Sequence, residues 1–313
     1  MPAEGIDINK PVTICGQTRD GTVFKDDGMS NNPFVFLVSS SGVTFERLTI
    51  QTRLTAAIVV TGKGSPVSRI ADFTADTPRL VFGDVGLYLR ACGWTVRDCV
   101  FDQQGSDLTS RALVVYGICN ACAVMSNKFN MGSSHDSRAI YLTSSETSRP
   151  DERNYGVLSV TLNDVANPIR SFFVQDNFQG PKEGLVLDFE NNAINEIEDW
   201  AVAHAVSNRD GNVFERIIMR QNVATGNGSQ GLFTIKGRKT STLRTFRSIG
   251  KLRIHASGNS IMKTCSLKPP FKEAPGSSGC LVSYNSDVFS SQSCEIEHLA
   301  KREYIHASMA ANS

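Results

Sequence analysis

Long apolar runs are missing from this sequence of 313 residues. The longest ones, such as Ala56–Val60 and Ala112–Tyr116, have the length of a β-strand, whereas a membrane-spanning helix needs about 18 apolar residues or more. The N-terminal segment has two acidic residues before its first lysine and no apolar core, so it does not resemble a secretory signal. We expect no membrane span, and a location in the cytoplasm or in a virus particle rather than export by a signal peptide.

A surplus of charge of one sign is also missing. The chain has 32 Lys and Arg against 31 Asp and Glu, a formal net charge of +1. A hydrophobic fraction of 40% and a charged fraction of 20% exclude disordered, collagen-like and coiled-coil chains. Any polyanionic partner would therefore have to meet a local basic patch, because there is no strong overall field to attract it.

Cysteines are too sparse for a disulfide-stapled scaffold, since the chain has 8 of them in 313 residues. We predict that most are reduced and packed. Cys119 and Cys122 have the spacing of metal ligands, but no second pair lies at a usable distance. Packing in the core is therefore favoured over a zinc site for this pair.

Helical periodicity is scarce, whereas short runs of Val, Ile, Phe and Thr recur between turn residues, which predicts mostly β-structure. A six-residue template repeats, with an apolar residue at each end and a polar residue in between. It occurs at Val96–Phe101, Val124–Phe129, Phe173–Phe178, Phe189–Ile194 and Ile218–Val223, with further copies at Phe45–Ile50 and Ala256–Ile261. Its fourth position is held by Cys99, Asn127, Asp176, Asn192, Gln221 and Asn259.

A small polar residue at one place in a repeated strand–turn unit can pass amide hydrogen bonds from one copy to the next. The repeat therefore predicts an asparagine ladder in a stack of coils. The copies are unevenly spaced, which indicates insertions such as 61–77 and 144–155 on one side of the stack.

The opening segment Ile8–Phe24, INKPVTICGQTRDGTVF, resembles the first coils of the pectin-lyase-like superfamily. Gly42–Ile50, Gly86–Phe101 and Ala112–Phe129 are similar to its later coils. The resemblance implies an all-β fold, a single-stranded right-handed parallel β-helix. It leaves the chemistry open, because the superfamily includes lyases, hydrolases, epimerases, phage tailspikes, adhesins and virion parts.

The repeat and the resemblance together predict a solenoid of about nine irregular coils over residues 1–294. Residues 295–313 form a C-terminal cap or tail, with an amphipathic helix expected around Ile296–Ala310. The first coil starts by about Ile6, which leaves no room for a capping helix at the other end. We therefore expect either contact of the first coil with another protein or a second copy, or an incomplete sequence.

The motifs of the hydrolases with this fold are missing, since no histidine has a glycine neighbour and the only adjacent aspartates, Asp26 and Asp27, lie in an early loop. A lyase would need carboxylates for Ca²⁺ and a basic residue that abstracts a proton. The turns that enter two successive strands supply candidates for a catalytic site: Asp107, Arg111, His135, Asp136 and Arg138. Capping and surface ion pairs are the alternative role of these residues.

Arg111 and Arg138 are 27 residues apart, close to the length of one coil, so we expect them to lie one above the other. Elsewhere, the acidic run Leu187–Trp200 could hold Ca²⁺ but lacks the order of a calcium loop, which favours a solvated strand face.

The segment Ile235–Arg247 is basic and contains no acid. Its candidate ligand-binding residues are Lys236, Arg238, Lys239 and Arg244. They could bind a uronate polymer or a sulfated glycan, or they could belong to a solvated loop. Nucleic acid is an unlikely partner because only Phe246 is available for stacking.

These observations favour a structural, attachment or glycan-binding β-helix without a cofactor, such as a component of a virion or another assembly. The alternative is a polysaccharide lyase, or a related carbohydrate-active enzyme, that acts on an acidic polysaccharide with Ca²⁺.

Overall fold

A computed structural model of the protein describes 19 stretches of the chain. They are residues 5–26, 33–53, 55–61, 70–104, 110–116, 118, 120–131, 137–143, 154–165, 169–176, 182–194, 197–206, 216–220, 222–225, 233–237, 253–257, 260–262, 281–285 and 306–310.

The described residues form strands that assemble into three long sheets and one short one. Sheet A contains β1 (Ile6–Ile8), β4 (Phe34–Val38), β7 (Ala56–Val60), β11 (Val85–Leu89), β15 (Arg111–Val115), β18 (Arg138–Thr143), β21 (Ile169–Asp176), β24 (Ile197–Val206) and β27 (Phe233–Gly237). Sheet B contains β2 (Thr13–Cys15), β5 (Thr44–Glu46), β9 (Thr74–Asp76), β13 (Thr95–Arg97), β16 (Ala121–Met125), β19 (Asn154–Thr161), β22 (Lys182–Glu190), β25 (Arg216–Arg220), β28 (Arg253–Ser257), β30 (Leu281–Asn285) and β31 (His306–Ala310). Sheet C contains β3 (Val23–Lys25), β6 (Thr49–Gln51), β10 (Arg79–Phe82), β14 (Val100–Gln103), β17 (Lys128–Asn130), β20 (Asp164–Val165), β23 (Ala193–Ile194), β26 (Val223–Thr225) and β29 (Ser260–Met262). The short sheet pairs β8 (Ile70–Ala71) with β12 (Ala91–Cys92).

The chain visits the sheets in the order A, B, C and then starts the next coil. Every strand pair is parallel, and partners lie about one coil apart in sequence, as in the pairing of Phe101 with Phe129. Because each strand pairs only with strands of the neighbouring coils, the structure is a solenoid whose stability is built mainly from contacts between neighbouring coils. The predicted all-β fold, a parallel β-helix, is confirmed.

Apolar side chains from all three sheets fill the inside of the column. Phenylalanines run through it in two series of ring contacts, one from Phe24 to Phe73 and one from Phe82 to Phe189. The rings of Phe101 and Phe129 stack at 4.9 Å between centroids, because parallel register places identical residues one above the other.

The asparagine ladder is confirmed, and it lies in the turns from sheet B to sheet C. Its buried members are Asn127, Asn163, Asn192 and Asn222. Each of the four accepts, at its Oδ1, the backbone N–H of the preceding coil's turn, as Asn127 does from Cys99 at 3.0 Å. The Asn127 Nδ2 donates to Val96 O and to the Oδ1 of Asn163, both at 3.0 Å.

The predicted register of the ladder is wrong at two positions. Asp176 ends β21 in sheet A instead of lying in a turn, and the missing rung is Asn163, in the segment VTLNDV. The rung assigned to Gln221 is Asn222, because Met219 and not Ile218 pairs with Phe189. Asn259 lies outside the described residues.

A residue with a left-handed backbone precedes each of six successive turn positions. These residues are Arg47, Thr77, Asp98, Ser126, Leu162 and Asn191, with φ between 50° and 64°. The same backbone geometry therefore recurs in turns with and without a ladder asparagine.

The predicted C-terminal helix is wrong over residues His306–Ala310, which form β31 and pair in parallel with Leu281–Asn285. The backbone continues the hydrogen-bonding pattern of sheet B there, which a helix would interrupt. Residues 286–305 lie outside the described part of the chain.

At the other end, β1, β2 and β3 are edge strands, each paired on one side only. Val12 and Val23 are exposed at this edge, and Phe24 is only half-buried.

Cys99 and Cys122 are buried in the wall of the column, as expected for packed thiols. Burial is the main cause that raises the pKa of Cys99, so its thiol stays protonated. Among the described cysteines, Cys15, Cys99 and Cys122 are free thiols, whereas Cys92 is in a disulfide.

Candidate functional site

Arginine and tyrosine side chains cluster on the outer face of sheet A. Arg111 begins β15 and Arg138 begins β18, and the two are paired in the parallel register. They therefore lie one above the other, as their spacing predicts. Their catalytic role stays a prediction.

Both arginines contact the ring of Tyr141. The guanidinium carbon of Arg111 lies 4.3 Å from the ring centroid, and that of Arg138 lies 5.3 Å from it. Tyr141 is only 9% exposed, so it forms a nearly dry support for the two cations. A cation over an aromatic ring is stabilised more strongly when water is excluded.

Two further tyrosines stack beside this cluster. The rings of Tyr88 and Tyr116 are 5.5 Å apart between centroids and only 5° from parallel. Burial, followed by interaction with Tyr88, raises the pKa of Tyr116. The Tyr116 hydroxyl therefore stays protonated and keeps a proton to donate.

Aliphatic side chains form the floor between these aromatic groups. Val85, Val114 and Val174 are buried, and they form a cluster with Tyr141 that is separate from the core inside the column. Val59 packs against it and is half-buried. We call Tyr88, Arg111, Tyr116, Arg138 and Tyr141, together with this floor, the tyrosine–arginine face.

Unsatisfied polar atoms are concentrated at one edge of this face. Ser110 Oγ, Arg111 Nε and Ser137 Oγ are buried and lack a hydrogen-bond partner. These residues lie at the starts of β15 and β18. Because buried polar atoms are normally hydrogen-bonded, an unsatisfied set at one place needs an explanation.

The other predicted site residues do not add to this face in the described structure. Asp107, His135 and Asp136 lie outside the described residues, as do Arg238, Lys239 and Arg244. Lys236 lies in β27 of sheet A and pairs with Ala205, so it belongs to a strand and not to a loop.

The first part of the acidic run Leu187–Trp200 lies in sheet B. Asp188 and Glu190 lie on β22, where Leu187 and Phe189 between and beside them point into the core. Glu190 forms an ion pair with Arg220 at 2.7 Å. Burial and then the hydrogen bond with Asp188 raise the pKa of Glu190.

No group of three or more His, Cys, Asp or Glu residues that could hold a metal ion is found in the part of the chain that the structure describes. Cys122 packs in the column wall at 1% exposure, and Cys119 lies outside the described residues.

The three tyrosines were not predicted as site residues from the sequence. Alignment of the strands GLYL, ALVV and AIYL would have revealed two of them, because Tyr88, Val114 and Tyr141 occupy one column of the register. Tyr116 comes directly after β15, so an alignment of the strands does not include it.

Within the described residues, the chain has no helix of the length and apolar character needed to cross a bilayer. Comparison with known proteins finds no matching family model, no matching curated protein and no matching solved structure. The parallel β-helix with its asparagine ladder is thus established by the structure itself, and membership in the pectin-lyase-like superfamily stays a prediction.

Proposed function

We propose that this protein is a non-catalytic attachment or glycan-binding β-helix, which serves as a component of a virion or another assembly. The tyrosine–arginine face is its binding surface. A sheet of stacked coils presents a straight, regularly spaced surface, which suits an extended polymer.

The single observation that carries the proposal is the stacked pair Tyr88 and Tyr116 next to the arginine–tyrosine cluster. Tyrosine has an apolar ring and a polar hydroxyl, so it can pack on the C–H surface of a sugar and hydrogen-bond to its hydroxyls. Such a combination of apolar area and a few polar groups is typical of a ligand-binding surface.

Lyase activity on an acidic polysaccharide is the second candidate. The adjacency of Arg111 and Arg138 favours it, because one arginine could abstract a proton while the other binds an acid group. This mechanism also requires carboxylates that hold Ca²⁺, for which Asp107 and Asp136 are the candidates. Lys236, Arg238, Lys239 and Arg244 would then contact the anionic polymer.

We also propose a protein partner or a second copy at the edge formed by β1, β2 and β3. The exposed side chains of Val12 and Val23 and the unpaired strand edges support this contact. Analytical ultracentrifugation tests it: Val23→Lys should abolish self-association or partner binding, and an unchanged association state would contradict the contact.

Glycan binding is tested by titration calorimetry against a panel of oligosaccharides, with Tyr88→Ala as the test variant. Tyr155→Ala is the matched control, because Tyr155 is exposed on sheet B, away from the tyrosine–arginine face. We expect affinity to fall about 10-fold or more for Tyr88→Ala and to be unchanged for Tyr155→Ala. No binding to any glycan, or an equal loss in both variants, would contradict the proposal.

A parallel assay separates the two functions. Absorbance of the unsaturated sugar product is followed on polyuronates with and without Ca²⁺. We expect no turnover; turnover that Arg138→Ala abolishes would favour the lyase instead.

A further inference from the structure

We propose that the disulfide partner of Cys92 is Cys119, so that one covalent bond joins two successive coils at the corner from sheet A to sheet B. The bond holds Tyr116 in its stack with Tyr88 and thereby makes the tyrosine–arginine face sensitive to reduction. Assignment of the bond depends on the cysteines alone, whereas its effect on ligand binding rests on the proposed function.

The free thiols narrow the choice of partner. Cys92 is in a disulfide, whereas Cys15, Cys99 and Cys122 are free. Neighbouring coils are about 4.8 Å apart, and the Cα atoms of a disulfide-bonded pair are about 4–7 Å apart, so the partner comes from a coil next to that of Cys92. The remaining cysteines of the sequence all lie outside the described residues: Cys119, Cys265, Cys280 and Cys294.

Only one of these four belongs to a neighbouring coil by its place in the sequence. Cys119 lies between β15 and β16, which pair with β11 and β13 of the coil that contains Cys92. Cys265 follows β29, which is five strands from β14 in sheet C, a distance of about 24 Å. Cys280 precedes β30, six strands from β13 in sheet B, and Cys294 lies between β30 and β31, the last two strands of that sheet.

The residues that flank the two cysteines occupy equivalent positions of the corner. Ala91 and Ile118 are both fully buried in the core. Gly93 and Asn120 both have a left-handed backbone, with φ of 58° and 61°. Each cysteine therefore stands in the sequence between a buried residue and a left-handed one, 27 residues from the other. Equivalent positions of neighbouring coils lie about 4.8 Å apart, which suits the Cα separation of a disulfide.

The bond comes shortly after the stacked tyrosines in both coils. Cys92 is four residues after Tyr88, and Cys119 is three residues after Tyr116. The two tyrosine rings are 5.5 Å apart and only 5° from parallel. Tyr116 comes directly after β15, and its backbone N–H donates to Leu89 O at 2.8 Å. A covalent tie so close to both rings limits the conformations of the two segments, so the stack is preorganised before a ligand binds.

A small dithiol can reach the bond, because Cys92 is half-buried and not part of the dry core. A thiolate of the dithiol attacks one sulfur, the S–S bond breaks, and the second thiol completes the exchange. The two cysteines gain two electrons and two protons in total, while the dithiol becomes a cyclic disulfide. The reduced protein keeps its strand pairing, which consists of backbone hydrogen bonds, and loses the tie between the two coils.

Peptide mapping tests the pairing. The folded protein is oxidised in air, alkylated without reduction, digested with trypsin and analysed by mass spectrometry. We expect peptides 91–97 and 112–128 to be joined, with Cys122 alkylated inside the second peptide. A link from Cys92 to any other cysteine, or an alkylated Cys92, would overturn the pairing.

Urea denaturation tests the tie between the coils. Dithiothreitol should raise the unfolding equilibrium constant of the intact protein about 100-fold, because reduction removes a cross-link that restricts the unfolded chain. Reduction should also bring the intact protein and Cys119→Ser to the same midpoint. Cys15→Ser is the matched control, since Cys15 is exposed and free, and it should keep both the midpoint and the response to dithiothreitol. A midpoint of the intact protein that reduction leaves unchanged would contradict the cross-link.

Titration calorimetry with tetraglucuronate separates the bond from the proposed function. We expect the affinity to fall about 10-fold on reduction and in Cys119→Ser, but not in Cys15→Ser, because the tyrosine stack is then no longer preorganised. Equal affinity with and without the bond would contradict its role at the tyrosine stack and leave the pairing intact. Failure of the oxidised protein to bind this or any other glycan would contradict the proposed function and the effect on binding, whereas the peptide map still decides the pairing.

Discussion

The turns from sheet B to sheet C are closed in two different ways along the column. In the later coils, buried asparagines form hydrogen bonds with the turn backbone from inside the column. Asn163, for example, forms hydrogen bonds with Val124, Asn127 and Asn192. In the earlier coils, the same position holds Leu48, Pro78 and Cys99.

The earlier turns receive hydrogen bonds from outside the column instead. Arg19, in the loop between β2 and β3, donates from Nε to Thr77 O at 2.7 Å and from Nη2 to Asp98 O at 2.8 Å. Thr77 and Asp98 are the left-handed residues that precede Pro78 and Cys99. One surface arginine thus connects three coils at the place where the asparagines are missing.

The ladder stops at Asn127 because of Pro78, two coils earlier. Each ladder Oδ1 accepts the backbone N–H at the same position of the preceding coil, as Asn127 does from Cys99. An asparagine at position 99 would need the N–H of residue 78, which proline lacks. The Cys99 thiol instead donates to Ala75 O at 3.4 Å, in the role that Nδ2 has in the ladder. A ladder therefore propagates only through residues that have a backbone donor.

Removal of a central rung should have the largest effect. We expect Asn163→Ala to lower the free energy of unfolding by about 3 kcal/mol or more, because the amides of its two neighbours lose buried partners. Asn130→Ala is the control, since Asn130 is half-buried and donates one hydrogen bond to Asp102. It should cost about 1 kcal/mol. Urea denaturation measures both, and equal losses would contradict the ladder's role.

Extension of the ladder into the earlier coils should fail unless the proline is replaced as well. We expect Cys99→Asn to cost about 1–2 kcal/mol, because the new Oδ1 faces a residue without an N–H. The double variant Pro78→Ala/Cys99→Asn should have a free energy of unfolding about 1 kcal/mol higher than the sum of the two single effects predicts. A double-mutant cycle by urea denaturation measures the coupling, and a value of zero would refute this explanation.

The external arginine should contribute less than a buried rung. Arg19→Ala is expected to cost about 1–2 kcal/mol, since both of its hydrogen bonds are charge-assisted but partly exposed. Arg53→Ala serves as the reference for loss of a surface arginine. If thermal denaturation places the two variants at the same stability, Arg19 does not hold the earlier turns together.

The smallest change in stability is expected at the turn residues with a left-handed backbone. Leu162 has φ 57° and a side chain that is 60% exposed, whereas Asn191 has the same geometry in the next coil. Asparagine tolerates this region far better than leucine. Leu162→Asn should therefore raise the free energy of unfolding by about 1 kcal/mol. Thermal denaturation checks it, and a loss of stability would show that Leu162 has contacts that outweigh its backbone strain.

The fold could be predicted from the sequence because the repeated positions have the same structural role in successive coils. Apolar residues fill the column at fixed spacing, and the 27-residue offset correctly placed Arg111 beside Arg138. The ladder register was harder to predict, because the sequence FVQDNF, whose first four residues end strand β21 of sheet A, matches the template as well as VTLNDV does. Ile218 and Met219 are both apolar, so the sequence pattern could not decide which of the two pairs with Phe189.

The tyrosine–arginine face was predictable only in part. The position of the arginines at coil turns predicted a surface role for them, whereas the position of Tyr88 and Tyr141 inside apolar strands predicted burial in the core. The outward position of Tyr88 depends on a two-residue alternation that Gly86 interrupts, since Val85 packs in the outer cluster and Leu87 packs in the core. The register of neighbouring strands, and not the local sequence, decides which side chains share the surface.

Binding of a glycan to the outer face of sheet A would change the surroundings of the valine methyl groups on that face. Methyl NMR spectra of valine-labelled protein test it directly during titration with tetraglucuronate. We predict shifts of Val59, Val114 and Val174, which belong to the tyrosine–arginine face, and no shift of Val23, which is 51% exposed on sheet C. Shifts confined to valines outside sheet A, or no shifts with any glycan that binds, would contradict the account.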